Sequence, residues 1–246
     1  NAQRTGVTAT AAAGSGGYGG LYQVSLGMAQ LAGKGNNCGP LTPVVMELPI
    51  SNDQTSMDVA GIVGLDFLSR FDIAIDFERG EMALGPPGTA STGAFGTKDL
   101  AKIDGEMMIP PGFFAVKLLM ESCGKPVSAV VDLGSAFTVL NTPAANLIGA
   151  RPETLRNTGQ VVAGAAAPGK AYTPVQVLEG NFSIGFDACS SDKRLKDHLC
   201  SVGDLPGFAA LGRGNEAMVV LGSDVLKAGG RFVLSVYSRA MWLALP

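Results

Sequence analysis

The residues best suited to chemistry in this sequence are an aspartate and the three residues after it, Asp132–Ser135. An apolar run, Ala129–Val131, ends at the carboxylate, and Gly134 follows where a tight turn needs it. A second β-rich run, Phe137–Leu140, leads away from the turn. This order predicts a strand, a tight loop and a second strand, with Asp132 at the loop tip. An acid in such a place is either desolvated and paired or takes part in chemistry.

The segment Val130–Asn141 resembles the active-site loop of pepsin-like and retropepsin-like aspartic proteases. In that family apolar residues precede Asp-Thr/Ser-Gly-Ser/Ala, and a second apolar run follows. Ser135 and Asn141 match the pattern, whereas Leu133 stands where the family has Thr or Ser. The resemblance implies an all-β, bilobal fold, a double β-barrel with few short helices. It also implies that Asp132 is a catalytic residue, in a loop completed by the next three residues.

Three blocks of the sequence occur twice in the same order, which indicates an internal duplication. The paired blocks are Val63–Leu68 with Leu221–Leu226 (offset 158), Phe77–Met82 with Tyr237–Trp242 (offset 160), and the Ala/Gly-rich Thr8–Tyr18 with Val162–Tyr172 (offset 154). Short β-rich runs between Gly/Pro/Asn turns fill most of the remaining chain. Asp66–Ser69 and Pro143–Ile148 are the candidate helices.

The duplication predicts two lobes and a linker. Residues 1–88 are expected to form an incomplete first lobe that lacks its aspartate strand, residues 89–106 a linker, and residues 107–246 a second lobe with the Asp132 loop. In the family, a strand crosses behind the active-site loop at the repeated apolar-Gly-x-Asp motif. Gly64 and Gly222 are therefore expected to permit close backbone approach there; a plain turn is the alternative.

The expected activity depends on a second carboxylate. The repeat offset places the counterpart of Asp132 before Asn1, and the first acid of the chain is Glu47. The family mechanism needs two carboxylates that share one proton. Leu133 also lacks the hydroxyl that, in the family, bonds across to the opposite lobe. The chain as given is therefore expected to be silent by the two-aspartate mechanism.

Three functional hypotheses remain open. In the first, the chain is a catalytically silent, protein-binding or structural subunit, in a larger lumenal or membrane-associated assembly such as a photosynthetic complex. In the second, it is an aspartic endopeptidase whose first catalytic Asp lies upstream of Asn1. In the third, two copies of the chain each contribute one Asp132.

Composition excludes several other classes. The net charge is −3 without a basic cluster, which argues against nucleic acid as a partner. No apolar run is long enough for a transmembrane segment. The single histidine, His198, lies in a polar insert and is interpreted as a solvated loop residue. No Cys-x-x-Cys pair is present, so neither a metal nor a cofactor is expected. A protein or peptide segment is the expected partner.

Four further residues carry specific predictions. Cys189 and Cys200 flank a polar insert, and a disulfide that closes this loop is predicted, with two free thiols as the alternative. Such a bond favours an oxidising compartment, either an organelle or thylakoid lumen or the secreted route. Tyr18 and Tyr172 fall where the family has hairpins over the cleft, so both are candidate binding residues; an ordinary glycine-rich loop is the alternative.

Overall fold

We analysed a computed structural model of the chain. It describes short stretches of backbone before residue 46 (2–4, 22–24, 26–30, 37–41 and 44–45) and then residues 63–108, 112–120, 124–163, 172–186 and 194–245. The described residues form strands joined by turns, with a few short helices between them. The predicted all-β fold with few short helices is confirmed.

The strands of the described residues are mostly short, as expected for a chain with frequent turn residues. They are β1 (Ala2–Arg4), β2 (Tyr22–Val24), β3 (Leu26–Gln30), β4 (Asn37–Leu41), β5 (Val44–Val45), β6 (Asp72–Asp76), β7 (Glu81–Gly85), β8 (Ala101–Met107), β9 (Phe114–Met120), β10 (Pro126–Val131), β11 (Val139–Leu140), β12 (Leu155–Arg156), β13 (Val161–Ala163), β14 (Tyr172–Pro174), β15 (Gln176–Phe186), β16 (Leu195–Val202), β17 (Met218–Leu221), β18 (Arg231–Ser235) and β19 (Ala240–Leu243).

The helices are one or two turns long. They are α1 (Leu65–Leu68), α2 (Thr142–Leu147), α3 (Pro206–Ala210) and α4 (Ser223–Leu226), with 3-10 turns at Ala90–Thr92, Thr97–Asp99 and Pro152–Thr154. Both predicted helices are present, each within one residue of its expected bounds. Among the described residues, no helix has the length and apolar character needed to cross a membrane.

Twelve strands form one continuous sheet in the order β12-β15-β16-β11-β17-β10-β9-β8-β19-β18-β6-β7. Most neighbours are antiparallel, but β10 runs parallel to β17, and β11 runs parallel to β16. The two ends of the Asp132 loop therefore belong to strands β10 and β11, which flank β17 on opposite sides. This arrangement holds the loop over the end of a central strand.

Strand β17 lies at the centre of the apolar core. All four of its side chains are buried, as expected for a strand covered on both faces. Val219 and Leu221 belong to the main apolar cluster, whereas Met218 and Val220 belong to a second cluster on the opposite face. Full burial of one such side chain is worth about 1.5–3 kcal/mol. Burial on both faces therefore fixes β17 as a rigid support for the loop.

Strand β6, from the first half of the chain, pairs with β18, from the second half. Ala74 of β6 lies opposite Val233 of β18, and the antiparallel pairing extends to both strand ends. Strand β7 flanks β6, and β19 flanks β18, so the order β7-β6-β18-β19 is symmetric about this pair. The residues before α1 and α4 also match, since Gly64 has φ −88° and ψ 175° and Gly222 has φ −85° and ψ 175°.

The stretch predicted as a linker, residues 89–106, has regular structure in much of its length. It contains two 3-10 turns and most of β8, which pairs with both β9 and β19. The buried carboxylate of Asp72 accepts a 2.7 Å hydrogen bond from the Ala90 N–H, and the Thr97 hydroxyl donates to the Ala90 carbonyl at 2.7 Å. The first bond fastens the stretch to β6, and the second connects its two 3-10 turns. The lobe boundaries on either side of it remain predictions.

Candidate functional site

The Asp132 loop has the strand, loop and strand order predicted for it. The Asp132 N–H donates to the Leu221 carbonyl at 3.0 Å, which extends the ladder of β10 and β17 by one residue. The Ser135 N–H donates to the Asp132 carbonyl at 3.2 Å and closes the turn. The Gly134 N–H donates to Asp132 Oδ1 at 2.9 Å and orients the carboxylate. Hydrogen bonds thus hold both the backbone and the side chain of Asp132.

The electrostatic state of Asp132 is set mainly by its surroundings. Burial raises the pKa of its carboxyl group, and hydrogen bonds from Gly134 and Ser135 offset only part of that rise. Desolvation has this sign because it disfavours the charged form of an acid. A carboxyl group in this state keeps its proton to a higher pH than a solvated aspartate, so it is suited to act as an acid.

An apolar wall lies on the side of the sheet to which Asp132 belongs. Residues two apart on a strand share a face, so Asp132 follows Val130. Val130 is buried in the second apolar cluster, where Phe208 of α3 is also buried. The neighbouring strands add Val139 and Val220 to the same cluster. These side chains are almost fully buried, so this side of the sheet is closed by apolar packing next to the carboxylate.

Two loop residues differ from expectation in detail. Leu133 is partly buried and packs against the main apolar cluster, so its side chain serves as a packing group. Gly134 does not have a positive φ, and a Cβ at this position would lie 3.1 Å from Asp132 Oδ1. The glycine is therefore explained by the approach of the carboxylate and not by a left-handed turn.

Gly222 meets the prediction of close backbone approach. A Cβ on this residue would lie 2.5 Å from both the carbonyl carbon and the oxygen of Phe137. Real Cβ atoms do not approach backbone that closely, and backbone cannot yield as a flexible side chain can. The equivalent contact at Gly64 involves only the side chain of Asp66 among the described residues.

Asp224 supports the Asp132 loop through hydrogen bonds to Thr138. Its two carboxylate oxygens accept hydrogen bonds from the Thr138 N–H and the Thr138 hydroxyl, both at 2.8 Å. The Thr138 hydroxyl also accepts a bond from the Gly222 N–H at 3.1 Å. Burial alone would raise the pKa of Asp224, but the hydrogen bonds from His198 and Thr138 outweigh it, and the net pKa is lowered. Asp224 is therefore held as an anion beneath the loop.

His198 is not the solvated loop residue that the sequence suggested. It lies on β16, and its Nε2 is 3.1 Å from Asp224 Oδ2. The side chains of His198 and Asp224 are only 15% and 19% exposed. The interpretation failed because the polar residues around His198 resemble a loop, whereas they continue a strand that pairs with β15.

Cys200 is a buried thiol that is free among the described residues, and its disulfide with Cys189 remains a prediction. Its side chain faces the main apolar cluster, while Leu199, one residue earlier on the strand, is exposed. Burial raises the pKa of the Cys200 thiol to about 12, and the charge of Asp224 contributes to the rise. Cys189 lies outside the described residues. Strand alternation directs Cys200 inward.

Asn141 connects the end of the Asp132 loop to α2 and to the start of β17. The side chain is fully buried, and its Oδ1 accepts bonds from the N–H groups of Ala144 and Met218, both at 3.0 Å. Its Nδ2 donates to the Glu216 carbonyl at 2.6 Å. Asn141 is thus the N-cap of α2 and, at the same time, a bridge to the turn before β17 and to the first residue of β17.

The two tyrosines suggested as binding residues remain predictions. Tyr172 begins β14, which pairs with β13 through Ala163 opposite Tyr172, so a hairpin is present there. Tyr18 lies outside the described residues. Within the part of the chain that the structure describes, no group of three or more His, Cys, Asp or Glu side chains is placed to hold a metal ion.

Comparison with known proteins gives only structural similarities. No protein-family model matches the sequence, and no curated protein matches it. A retropepsin-like aspartic protease from Rickettsia conorii aligns over 59% of this chain and 90% of its own, with 16% identity and a TM-score of 0.37. The EIAV protease, complexed with the inhibitor HBY-793, aligns over 46% of this chain and 84% of its own, with 17% identity and a TM-score of 0.30. At these scores, the function has to be inferred from the chain's own residues.

Proposed function

We propose that Asp132 is one carboxylate of an aspartic-type peptidase centre. The observation that carries this proposal is the state of Asp132, which is fixed at the end of a buried strand and has a pKa raised by burial. A surface aspartate needs neither feature. A raised pKa lets one member of a carboxylate pair hold a proton while the other is ionised.

The reaction assigns a separate task to each member of the pair. The ionised carboxylate removes a proton from a water molecule as the water oxygen attacks the carbonyl carbon of the peptide bond. The protonated carboxyl donates a hydrogen bond to the carbonyl oxygen, on which negative charge develops. Asp132 suits the protonated role when it is free of substrate. The pair titrates as a unit, so the roles can exchange during turnover.

The second carboxylate would come from an equivalent loop in a duplicated partner lobe. The symmetric order of β7-β6-β18-β19 and the matching glycines before α1 and α4 support an internal duplication. A second copy of the chain is the other possible source. In either case the expected substrate is a peptide or an unfolded protein segment.

A catalytically silent binding subunit is the second candidate, and Leu133 is the observation that favours it. Its side chain packs against the core of its own sheet and carries no group that could bond across to an opposite loop. In this alternative the chain binds a partner segment without cleaving it. The lumenal or membrane-associated assembly suggested by the sequence belongs to this alternative.

A cleavage assay separates the two candidates. The protein in its longest natural form is incubated at acidic pH with an unfolded protein substrate, with and without a transition-state mimic of peptide hydrolysis. The variants are Asp132→Asn and, as a matched control, Asp104→Asn, which removes an exposed carboxylate on β8. The peptidase proposal requires cleavage that the mimic inhibits, a loss of at least about 10²-fold in Asp132→Asn, and no loss in the control.

Leu133→Thr tests the second candidate directly. If the natural protein does not cleave but this variant does, Leu133 is the cause of silence, and the binding function is favoured. If neither cleaves, and the Asp132→Asn substitution leaves the binding of apolar peptides unchanged, the carboxylate has no role and the peptidase proposal is wrong.

A further inference from the structure

A partly buried contact between a histidine and an aspartate lies behind the Asp132 loop, outside the groups of the proposed reaction. His198 on β16 approaches Asp224 on α4, with Nε2 and Oδ2 3.1 Å apart. The two residues are 26 positions apart in sequence, and each side chain is less than one-fifth exposed. A histidine in this location is costly to bury unless it has a partner, so the pairing requires an explanation.

Asp224 connects the histidine to the loop through one residue. Its Oδ2, the oxygen near His198, also accepts the bond from the Thr138 N–H. Its Oδ1 accepts the Thr138 hydroxyl at 2.8 Å and the Val225 N–H at 2.9 Å. Asp224 thus has four partners, and two of them are on Thr138, the residue that ends the loop.

A second set of bonds carries the connection from α4 to Asp132. The Ser223 N–H, next to Asp224, donates to the Ser135 carbonyl at 2.8 Å. Ser135 in turn donates its own N–H to the Asp132 carbonyl. The start of α4 therefore holds both the middle and the end of the loop, and the position of Asp224 affects both.

We propose that His198 is a positioning residue for Asp132. Through Asp224 and Thr138 it holds the loop that carries Asp132, and this restraint is lost when Asp224 loses its charge. This inference rests on the proposed function only in treating Asp132 as the working group. The distances among His198, Asp224 and Thr138 carry it, and the loop that they restrain is the one that presents the carboxylate.

The charge that acts on Asp224 comes from His198. Among the described residues, His198 is the one charged side chain that lowers the pKa of Asp224 by its charge. Cys200 faces the pair from the same strand, but its thiol stays neutral because its pKa is raised to about 12. Lys196, two residues before His198, is exposed. On β15, Phe182 is the residue paired with His198.

The sign of the pH effect follows from the direction of the Asp224 shift. A carboxyl group whose folded-state pKa is lowered stabilises the fold above its unfolded pKa, about 3.9, and that contribution is lost as pH falls through the folded value. Removal of His198 takes away one cause of the lowering. Asp224 then gains its proton at a higher pH, and Thr138 loses its anionic acceptor there.

Hydrogen exchange at the Thr138 amide tests this without any need for catalysis. The protection of Thr138 N–H is measured in the intact protein from about pH 3 to pH 7, a range that covers the ordinary pKa values of aspartate and histidine. The variants are His198→Gln, which can keep a neutral hydrogen bond, His198→Phe, which cannot, and Lys196→Gln as a same-strand control. Titration of the Asp132 carboxyl carbon by NMR in the same samples gives a second measurement.

We expect both His198 variants to lose protection of the Thr138 amide at a higher pH than the natural protein does. At the pH of greatest difference, the protection should be about tenfold lower in the variants. The shift should be larger for His198→Phe, and the Asp132 carboxyl should titrate closer to a solvated aspartate. Lys196→Gln should match the natural protein.

Three results would overturn the inference: no change in protection, an equal change in Lys196→Gln, or a change at Thr138 without any change at Asp132. The outcome is separate from that of the cleavage assay. If exchange and titration shift as expected while no form of the protein cleaves peptides, the positioning role stands and the peptidase proposal fails. If the protein cleaves peptides and the histidine variants leave exchange unchanged, the peptidase proposal stands and the positioning role fails.

Discussion

At the scale of single residues, the burial of Asp132 has a measurable thermodynamic consequence. An acid whose folded-state pKa is raised destabilises the fold once it ionises, so stability is lost as pH rises from the unfolded pKa through the folded one. A group that is kept at such a cost is a candidate for function.

We therefore expect Asp132→Asn to be more stable than the natural protein at neutral pH. Asparagine keeps an oxygen for the Gly134 N–H but has no charge to desolvate. The difference in melting temperature should shrink as pH is lowered toward about 4, where an unfolded aspartate gains its proton. Thermal unfolding of both proteins across this range is the measurement. A variant that is less stable at neutral pH, or a difference that does not depend on pH, would contradict the assigned burial.

Sequence reasoning found the residues of the loop but not their support. Asp132 and Gly222 were predictable because each belongs to a local pattern, a strand end followed by a turn and a repeated glycine motif. The contact of His198 with Asp224 joins a strand to a helix 26 residues later, and nothing in the sequence near either residue indicates it. The repeated Gly-x-Asp motif contains Asp224 but does not identify His198 as its partner.

At the scale of elements, Asn141 connects the Asp132 loop, α2 and the approach to β17. Its three hydrogen bonds satisfy backbone groups of Ala144, Met218 and Glu216, and the bonds to Ala144 and Met218 are buried. Loss of a cap costs about 1 kcal/mol, and each backbone group left buried without a partner costs about 1–3 kcal/mol more.

Asn141→Ala should lower the free energy of unfolding by about 3 kcal/mol, since it removes the cap and both bonds to the β17 approach. Asn146→Ala, an identical substitution on the exposed side of α2, is the control and should change stability by less than about 0.5 kcal/mol. Chemical denaturation gives both values. Equal effects of the two substitutions would mean that the bonds of Asn141 contribute nothing beyond helix propensity.

Element prediction was good where the local signals were strong. Helix α1 follows Gly64, and α2 follows Asn141 at the end of β11; both helices were predicted within one residue. Strand β8 was missed because its residues alternate weakly and follow a Gly/Pro/Thr-rich stretch typical of a linker. Its place in the sheet depends on β9 and β19, which lie elsewhere in the chain.

At the scale of the whole molecule, the sheet itself joins the two halves of the chain. The repeats predicted two similar halves, but no local pattern could predict that β6 would pair with β18, because pairing partners so far apart are selected by the packing of the complete fold. Ile73 and Phe232 are buried on the main cluster near this pairing. The halves therefore share one core.

A fragment that starts at residue 101 should not behave as an independent lobe. Without β6, the outer edge of β18 has unpaired N–H and carbonyl groups along Arg231–Ser235. Exposed edges of this kind pair with other chains. We expect the fragment to form dimers or larger species in size-exclusion chromatography with light scattering, while the full chain remains smaller under the same conditions. A monomeric fragment with native-like circular dichroism would show that the halves are separable.

The pairing of β6 with β18 also constrains how the protein is made. Asp76 leaves the ribosome before its partner Arg231, with 155 residues (231 − 76) still to be translated. At about 5–20 residues per second, the hairpin of β6 and β7 waits roughly 8–30 seconds for the strand that completes it. Contacts this distant in sequence also slow folding after release. The nascent chain therefore passes through a period in which its first half has an open strand edge, and chaperone binding during translation should matter more for this protein than for one whose halves fold in turn.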